Sequence, residues 1–198
     1  MKPREFPKVV VLAGPNGAGK STAASRLLRG ALGVTEFVNA DVIARGLSGF
    51  SPERVAMEAG RVMLRRIKEL AAKRESFAFE TTLASRSFAP WLRDLVKSGY
   101  RFHLVFLWLP SAAAAVARVA ERVSLGGHDV PVATVRRRYK AGLKNFFELY
   151  RSLSTTWQVI DNSQKGKPIL LAAGTGPITT VIKVRAVWRQ VCQGANNG

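Results

Sequence analysis

Residues 14–22 read Gly-Pro-Asn-Gly-Ala-Gly-Lys-Ser-Thr and follow directly on an apolar run, residues 9–13. This spacing is typical of a phosphate-binding loop set between a strand and a helix. Its glycines permit backbone conformations in which successive N–H groups face phosphate oxygens, and the positive end of the following helix adds to the attraction. The residues therefore predict binding of a nucleoside triphosphate, ATP or GTP, and transfer of its phosphate.

The side chains of this loop have different predicted parts in that chemistry. Lys20 is predicted to reach the β- and γ-phosphates and to be catalytic, while the Ser21 hydroxyl holds Mg²⁺ and Thr22 touches the α-phosphate. Asn162, which follows the last core strand, is added to the nucleotide-binding residues. The complete predicted set is Gly14, Pro15, Asn16, Gly17, Ala18, Gly19, Lys20, Ser21, Thr22 and Asn162.

Two carboxylates follow short predicted strands, Asp41 after residues 36–40 and Glu80 after residues 76–79. In an open parallel sheet, ligands bind at the carboxyl ends of the strands, so both side chains are expected beside the phosphates. Asp41 is predicted to be the general base that takes the proton from an attacking hydroxyl. Glu80 is predicted to orient the acceptor or to serve as a second carboxylate, and Thr81 to bind the acceptor. The alternatives are a helix N-cap for Asp41 and a strand-end hydrogen bond for Glu80.

Two further predicted helices, residues 111–124 and about 131–150, are joined through Gly126 and Gly127. Both helices carry arginines, whose guanidinium forks match phosphate oxygens. The pattern predicts a helical lid over about residues 111–151, with a hinge at the two glycines. The alternative is a solvated basic face that takes no part in catalysis.

The predicted lid contains more arginines than one phosphate group can engage. Three successive helical residues fan over about 200°, so at least one member of the run 136–138 is surface charge. The predicted catalytic arginines are Arg122 and Arg137, and the predicted substrate contacts of the lid are Arg118, His128 and Arg136.

The whole pattern alternates apolar strands with helices over the 198 residues. It predicts one α/β domain of the P-loop NTPase class, a three-layer αβα sandwich whose mostly parallel sheet has five to six strands. One helix is expected from residue 52 to about residue 74. Towards the C-terminus the pattern predicts a strand over 169–173 and an amphipathic segment over 179–191 whose type is left open.

Composition narrows the class of protein. A net charge of +18, from 31 basic against 13 acidic side chains, makes nucleic acid a partner to consider, but the charge is spread along the chain and a nucleic-acid surface is not favoured. The single cysteine, Cys192, provides neither a disulfide framework nor a metal cluster. No apolar run approaches the roughly 18 residues of a membrane span, so we expect a cytoplasmic protein that does not contact membranes.

Five segments in order, GPNGAGKST, FVNAD, FAFETTL, RVAERVSLGGHDVP followed by RRRY, and WQVIDNS, resemble the zeta-toxin family of P-loop kinases, especially its short standalone members. The resemblance covers about residues 8–163. It implies a fold similar to adenylate kinase, ATP or GTP as donor, Lys20 on the phosphates, Asp41 as the base, and lid arginines around Arg122. It also implies a hydroxyl of UDP-N-acetylglucosamine or a related metabolite as acceptor, and an antitoxin protein is a candidate partner.

Other functions remain open at this point. Larger members of the family carry a second lid arginine where this chain has His128, so the partner of Arg122 and the acceptor are not fixed. A housekeeping small-molecule kinase is an alternative to a toxin, and a nucleic-acid-binding NTPase or polynucleotide kinase is the main alternative class. A transport ATPase is not favoured, because no apolar strand ends in paired Asp-Glu.

Overall fold

A central sheet carries the phosphate-binding loop. The computed structural model of the protein describes residues 6–127, 129–164 and 166–196. Within these residues the strands are β1 (Lys8–Ala13), β2 (Glu36–Val38), β3 (Phe77–Thr81), β4 (Arg101–Trp108), β5 (Thr156–Asp161), β6 (Ile169–Thr175) and β7 (Ile178–Ile182). Their order in the sheet is β2-β3-β1-β4-β5-β6-β7. The first five are mutually parallel, β6 runs antiparallel to β5, and β7 runs antiparallel to β6.

Helices connect the parallel strands. They are α1 (Lys20–Ser25), α2 (Ala40–Leu47), α3 (Ala56–Ala72), α4 (Phe88–Lys97), α5 (Ala112–Ser124), α6 (Val132–Asn145), α7 (Arg151–Leu153) and α8 (Arg185–Asn196). Wider π-type turns extend α1 over Arg26–Leu32 and α6 over Phe146–Tyr150, and a 3₁₀ turn, Pro52–Val55, precedes α3. Among the described residues, no helix combines the length and apolar character that crossing a bilayer requires.

β1 lies in the middle of the sheet and is covered on both faces. Val9 and Val11 belong to one apolar cluster, and Val10 and Leu12 belong to the other. Because successive residues of a strand point to opposite faces, only a continuously apolar strand can fill this place. This result confirms the predicted P-loop kinase-like α/β fold, in which a mostly parallel sheet is flanked by helices.

The segment after β2 differs from the prediction. The strand ends at Val38 and α2 begins at Ala40, whereas the sequence pattern predicted a strand over 36–40 and considered a helix here only as the alternative in which Asp41 is an N-cap. Asn39 is the N-cap: its Oδ1 accepts from the backbone N–H groups of Asp41 (2.8 Å) and Val42 (3.3 Å). This capping stabilises the start of a helix that is only eight residues long.

The C-terminal region also differs from the prediction. β6 includes the predicted strand 169–173, but the segment 179–191 is divided between β7 and α8. The sheet therefore has seven strands over the described residues rather than five to six. A tight turn through Gly176, which has φ +50°, returns the chain beside β6. α8 then packs back on the core through Trp188, whose ring stacks on that of Trp157 at 5.9 Å.

The predicted lid helices are α5 and α6, and α6 is anchored to other segments of the chain. Gly126, with φ +81°, ends α5 in the left-handed conformation that favours glycine. The Tyr139 hydroxyl donates to Leu109 O (2.8 Å), and Asn145 Nδ2 donates to Leu83 O (2.8 Å). Gly142 lies so close to Thr82 that a β-carbon would collide with the Thr82 carbonyl oxygen. A hinge that swings the whole of α6, as expected from Gly126 and Gly127, would break these contacts.

The close approach of Gly142 gives a test of the fold. We expect Gly142→Ala to lower the free energy of unfolding by about 2 kcal/mol or more, because the added methyl group overpacks the interface of α6. Gly60→Ala is the matched control: Gly60 also lies inside a helix but has open space around it, so alanine should raise the free energy of unfolding by about 0.5–1 kcal/mol. Urea denaturation measures both. Equal effects of the two substitutions would contradict the packing of α6.

Candidate active site

The phosphate-binding loop connects β1 to α1, as predicted. Gly14, Gly17 and Gly19 all have positive φ (139°, 79° and 76°), which lets the backbone curl around an anion. Lys20, the first residue of α1, is only 6% exposed, and its Nζ donates to Pro15 O across the loop (2.8 Å). Ser21 lies next to it and is exposed. The loop thus presents an ammonium group and a hydroxyl at the N-terminus of a helix.

Two neighbouring elements hold the loop in place. A β-carbon on Gly17 would lie 2.9 Å from Ala115 O, so α5 rests directly on the loop. Asn162, after β5, donates from Nδ2 to Ala18 O (2.7 Å), and a β-carbon on Gly19 would lie 2.8 Å from the same nitrogen. Asn162, predicted as a nucleotide contact, therefore supports the backbone that would hold the phosphates.

One carboxylate joins three elements of the site. Glu80 Oε2 accepts from the Ser21 hydroxyl (2.8 Å) and from Asn39 Nδ2 (2.7 Å), and Glu80 Oε1 lies 3.6 Å from Lys20 Nζ. Asn39 Nδ2 also donates to Ser21 Oγ (3.2 Å). The sequence prediction put Glu80 on the acceptor, but the structure brings it to the lysine and serine of the loop. Asn39 was missed, although an asparagine before a helix is a typical capping signal.

The charge of Lys20 depends on these neighbours. Burial lowers the pKa of its ammonium group, while Glu80 and Asp41 act in the opposite direction and Arg122 adds to the lowering. Asp41 and Arg122 therefore lie within electrostatic range of Lys20, as the predicted roles require. A triphosphate would add negative charge beside the lysine and favour its protonated form.

Asp41 is the second residue of α2 and is exposed. Its carboxylate has no hydrogen bond or ion pair with any described residue, and the capping role considered for it belongs to Asn39. It lies near two cations, because it acts on the pKa values of both Lys20 and Arg138. The carboxylate is therefore available at the edge of the phosphate site.

The arginine run on α6 is oriented by the packing of that helix. Arg136 and Arg137 are exposed, whereas Arg138 is half-buried. Burial and Arg137 lower the pKa of the Arg138 guanidinium, and Asp41 raises it. Arg138 is thus within electrostatic range of Asp41, while the predicted Arg137 and Arg136 are exposed. The direction of each member of the run could not be read from three identical residues.

Of the remaining residues predicted to contact the acceptor, Arg118 and Thr81 make hydrogen bonds with the protein backbone. Arg118 Nη2 donates to Ser163 O, and its Cβ lies next to Gly17, so Arg118 bridges the phosphate loop and the segment after β5. The Thr81 hydroxyl accepts from Leu83 N (3.1 Å) within its own loop. His128 lies outside the described residues.

The site suits Mg²⁺ bound together with phosphates. No three His, Cys, Asp or Glu side chains come together as a metal cluster in the part of the chain that the structure describes. Ser21 Oγ and Glu80 Oε2 are 2.8 Å apart and provide two oxygen ligands. Mg²⁺ in kinase sites is held by one or two protein oxygens with substrate phosphates and water, and these two residues fit that pattern.

Comparison with known proteins agrees with the fold. The family model AAA_33, described as an AAA domain, matches residues 9–148. A protein of Haemophilus influenzae is 26% identical over 132 residues, which are 67% of this chain and 92% of that protein. The family match includes the whole phosphate-binding loop, residues 14–22.

Two solved structures share the fold at low sequence identity. AvrRxo1-ORF1:-ORF2 with ATP has a TM-score of 0.71 at 18% identity over 93% of this chain; our chain spans only 63% of the length of that one. The PezAT chromosomal toxin-antitoxin system of Streptococcus pneumoniae has a TM-score of 0.60 at 13% identity, covering 99% of this chain and 87% of that chain.

The lowered pKa of Lys20 predicts how nucleotide affinity depends on pH. At a pH above this lowered value, binding of a triphosphate must take up a proton, so affinity should fall as pH rises, by at most about tenfold per pH unit. Lys20→Arg is the control, because arginine stays protonated at these pH values. Binding of the triphosphate to this variant therefore requires no proton uptake at position 20. Isothermal titration with MgATP between about pH 6 and 10 measures the slope. Equal slopes for the two proteins would contradict the assignment.

Proposed function

The chain belongs to the AAA_33 family of AAA domains, and we propose that it is a kinase that transfers the terminal phosphate of ATP or GTP, with Mg²⁺, to a hydroxyl of a small anionic acceptor. The observation that carries the proposal is the arrangement around Glu80. Its carboxylate contacts both Lys20 and Ser21, while the Asp41 carboxylate beside them has no described partner. Such a site can bind a metal–triphosphate and still offer a base to a second substrate.

The donor half consists of the loop and its supports. Backbone N–H groups and Lys20 would neutralise the phosphates, and Ser21 with Glu80 would hold Mg²⁺, which supplies charge neutralisation to the transferred group. On binding, Lys20 would exchange its bond to Pro15 O for phosphate oxygens. Arg122, on α5 and within electrostatic range of Lys20, would stabilise charge that develops during transfer. Arg118 contacts Ser163, in the segment after β5 that supports the loop, and this contact favours a role for Arg118 in the donor half rather than on the acceptor.

The acceptor half lies around the start of α2. Asp41 would accept the proton of the attacking hydroxyl, since a carboxylate that is not held by the protein can approach the substrate. Arg138 is near Asp41, and Arg45, one turn along α2, donates from Nε to Asp41 O (3.4 Å). Two arginines on this side of the site would favour an acceptor that carries phosphate or carboxylate.

A nucleotide sugar such as UDP-N-acetylglucosamine meets this description, because its diphosphate would suit the arginines and its sugar offers the hydroxyl. The resemblance to zeta toxins supports the same acceptor. An antitoxin protein as partner and a place in the cytoplasm belong to the same proposal. Asp41, Arg122 and Arg138 then complete the catalytic set with Lys20.

The proposal is tested by incubating the protein with labelled ATP or GTP, Mg²⁺ and a panel of acceptors, followed by mass detection of added phosphate. The panel contains nucleotide sugars, uncharged sugars of the same stereochemistry, and an oligonucleotide with a free 5′-hydroxyl. We expect transfer to an anionic small molecule. Transfer to the oligonucleotide alone, lost steeply with salt, would instead support the polynucleotide kinase that the net charge of +18 suggests.

Two substitutions separate binding from chemistry. We expect Lys20→Ala to abolish transfer and weaken nucleotide binding, because it removes the ammonium group inside the loop. Asp41→Asn should leave nucleotide affinity nearly unchanged and lower the transfer rate by ~100-fold or more, the usual scale for loss of a general base. Single-turnover rates and nucleotide titrations measure both. Full activity of Asp41→Asn would exclude Asp41 as the base.

Arg138 and Arg137 form a matched pair for the acceptor site. Arg138→Ala should raise KM for the acceptor by about tenfold or more, the scale of a hydrogen bond to a charged group, with a smaller effect on KM for ATP. Arg137→Ala removes the same side chain one residue earlier, from an exposed position, and should change KM for the acceptor by less than about threefold. A larger effect from Arg137→Ala than from Arg138→Ala would contradict the choice of Arg138 and favour Arg137, the residue of this run that was predicted to be catalytic.

A further inference from the structure

Asn16, in the third position of the phosphate-binding loop, is a buried asparagine without a hydrogen-bond partner for its oxygen. The residue is 9% exposed, and its Oδ1 is buried and accepts no hydrogen bond. Its Nδ2 makes no hydrogen bond with the described residues either, and it is not among their buried unpaired atoms. In this orientation the carboxamide therefore has a buried oxygen and a nitrogen that is accessible to solvent.

Two other buried asparagines show what a structural role looks like in this protein. Asn39 is 4% exposed and Asn145 is 5% exposed. Asn39 uses both ends of its carboxamide, and Asn145 Nδ2 donates to Leu83 O (2.8 Å) and Ala84 O (3.3 Å). A buried polar atom that lacks a partner destabilises the folded state. The side chain of Asn16 therefore gives the fold no hydrogen bond in return for its burial.

The position of Asn16 identifies the part of the ligand that it would meet. Lys20 Nζ donates to the carbonyl oxygen of Pro15, the residue bonded to Asn16 (2.8 Å). Lysine in this loop reaches the β- and γ-phosphates, so Asn16 lies at the end of the loop where the terminal phosphates bind. Phosphate oxygens only accept hydrogen bonds, and the amide nitrogen that faces solvent is a donor.

We propose that the Asn16 side chain binds the terminal phosphate of the donor nucleotide and distinguishes a triphosphate from a diphosphate. The inference rests on the proposed kinase function. The backbone N–H groups of the loop bind phosphates in general, whereas this side chain adds a contact to the group that is transferred. Once that phosphate has moved to the acceptor the contact to the nucleotide is lost, which weakens the binding of the diphosphate product.

The test compares Asn16→Ala with the matched variant Asn145→Ala, both without acceptor. Titrations with Mg²⁺ and either ADP or the β,γ-imido analogue of ATP give the ratio of the two affinities. For Asn16→Ala we expect the affinity for the triphosphate analogue to fall about tenfold and the affinity for ADP to fall less than about twofold. The melting temperature of the free protein should not fall. Asn145→Ala should lower the melting temperature and leave the ratio unchanged.

A second variant, Asn16→Asp, keeps the size of the side chain and replaces the donor by a negative oxygen. Asn16→Asp should weaken the binding of the triphosphate analogue more than Asn16→Ala does. Its effect on the binding of ADP should again be smaller. The inference would be overturned if Asn16→Ala left the ratio of the two affinities unchanged. A lowered melting temperature of Asn16→Ala would overturn it as well. Because the titrations contain no acceptor, they decide it independently of the acceptor panel, which alone tests the transfer of phosphate.

Discussion

The shared contact of the Glu80 carboxylate is the interaction on which the site depends. It joins Lys20 and Ser21 at the start of α1 to Asn39 at the start of α2, and Glu80 itself lies at the end of β3. Asn39 in turn caps α2 and so sets where Asp41 stands. The Glu80 carboxylate is therefore the main partner of the buried Lys20 ammonium, with Asp41 acting in the same direction, and it links the phosphate-binding loop to the helix that carries the proposed base.

The parts of the molecule that could be predicted are those set by local sequence. The loop spacing and the continuously apolar β1 gave the fold class, because a strand buried on both faces has few alternatives. The β6–β7 hairpin was less visible, since the short second strand, Ile-Thr-Thr-Val-Ile, does not alternate apolar and polar residues regularly. α2 was missed because eight residues hold too little periodicity to distinguish a helix, although its cap was present in Asn39.

The site was predictable as a list of residue types and less so as an arrangement. Which of Arg136, Arg137 and Arg138 turns inward depends on how α6 is rotated, and that rotation is set by Gly142 against Thr82 and by Tyr139 and Asn145. These contacts join residues far apart in the chain. The same helix thus orients an arginine towards Asp41 and holds the loop after β3, so the donor and acceptor halves share one support.

The position of β1 has a consequence for the order in which the protein is assembled during synthesis. β1 is made first, yet its two neighbours in the sheet are β3 and β4, which come more than sixty residues later. Until residues 77–108 have left the ribosome, the loop has neither a flanking strand nor the Glu80 carboxylate to offset Lys20. Contacts of such sequence separation form slowly. Nucleotide binding should therefore be a late property of the growing chain, acquired when the sheet closes around its earliest strand.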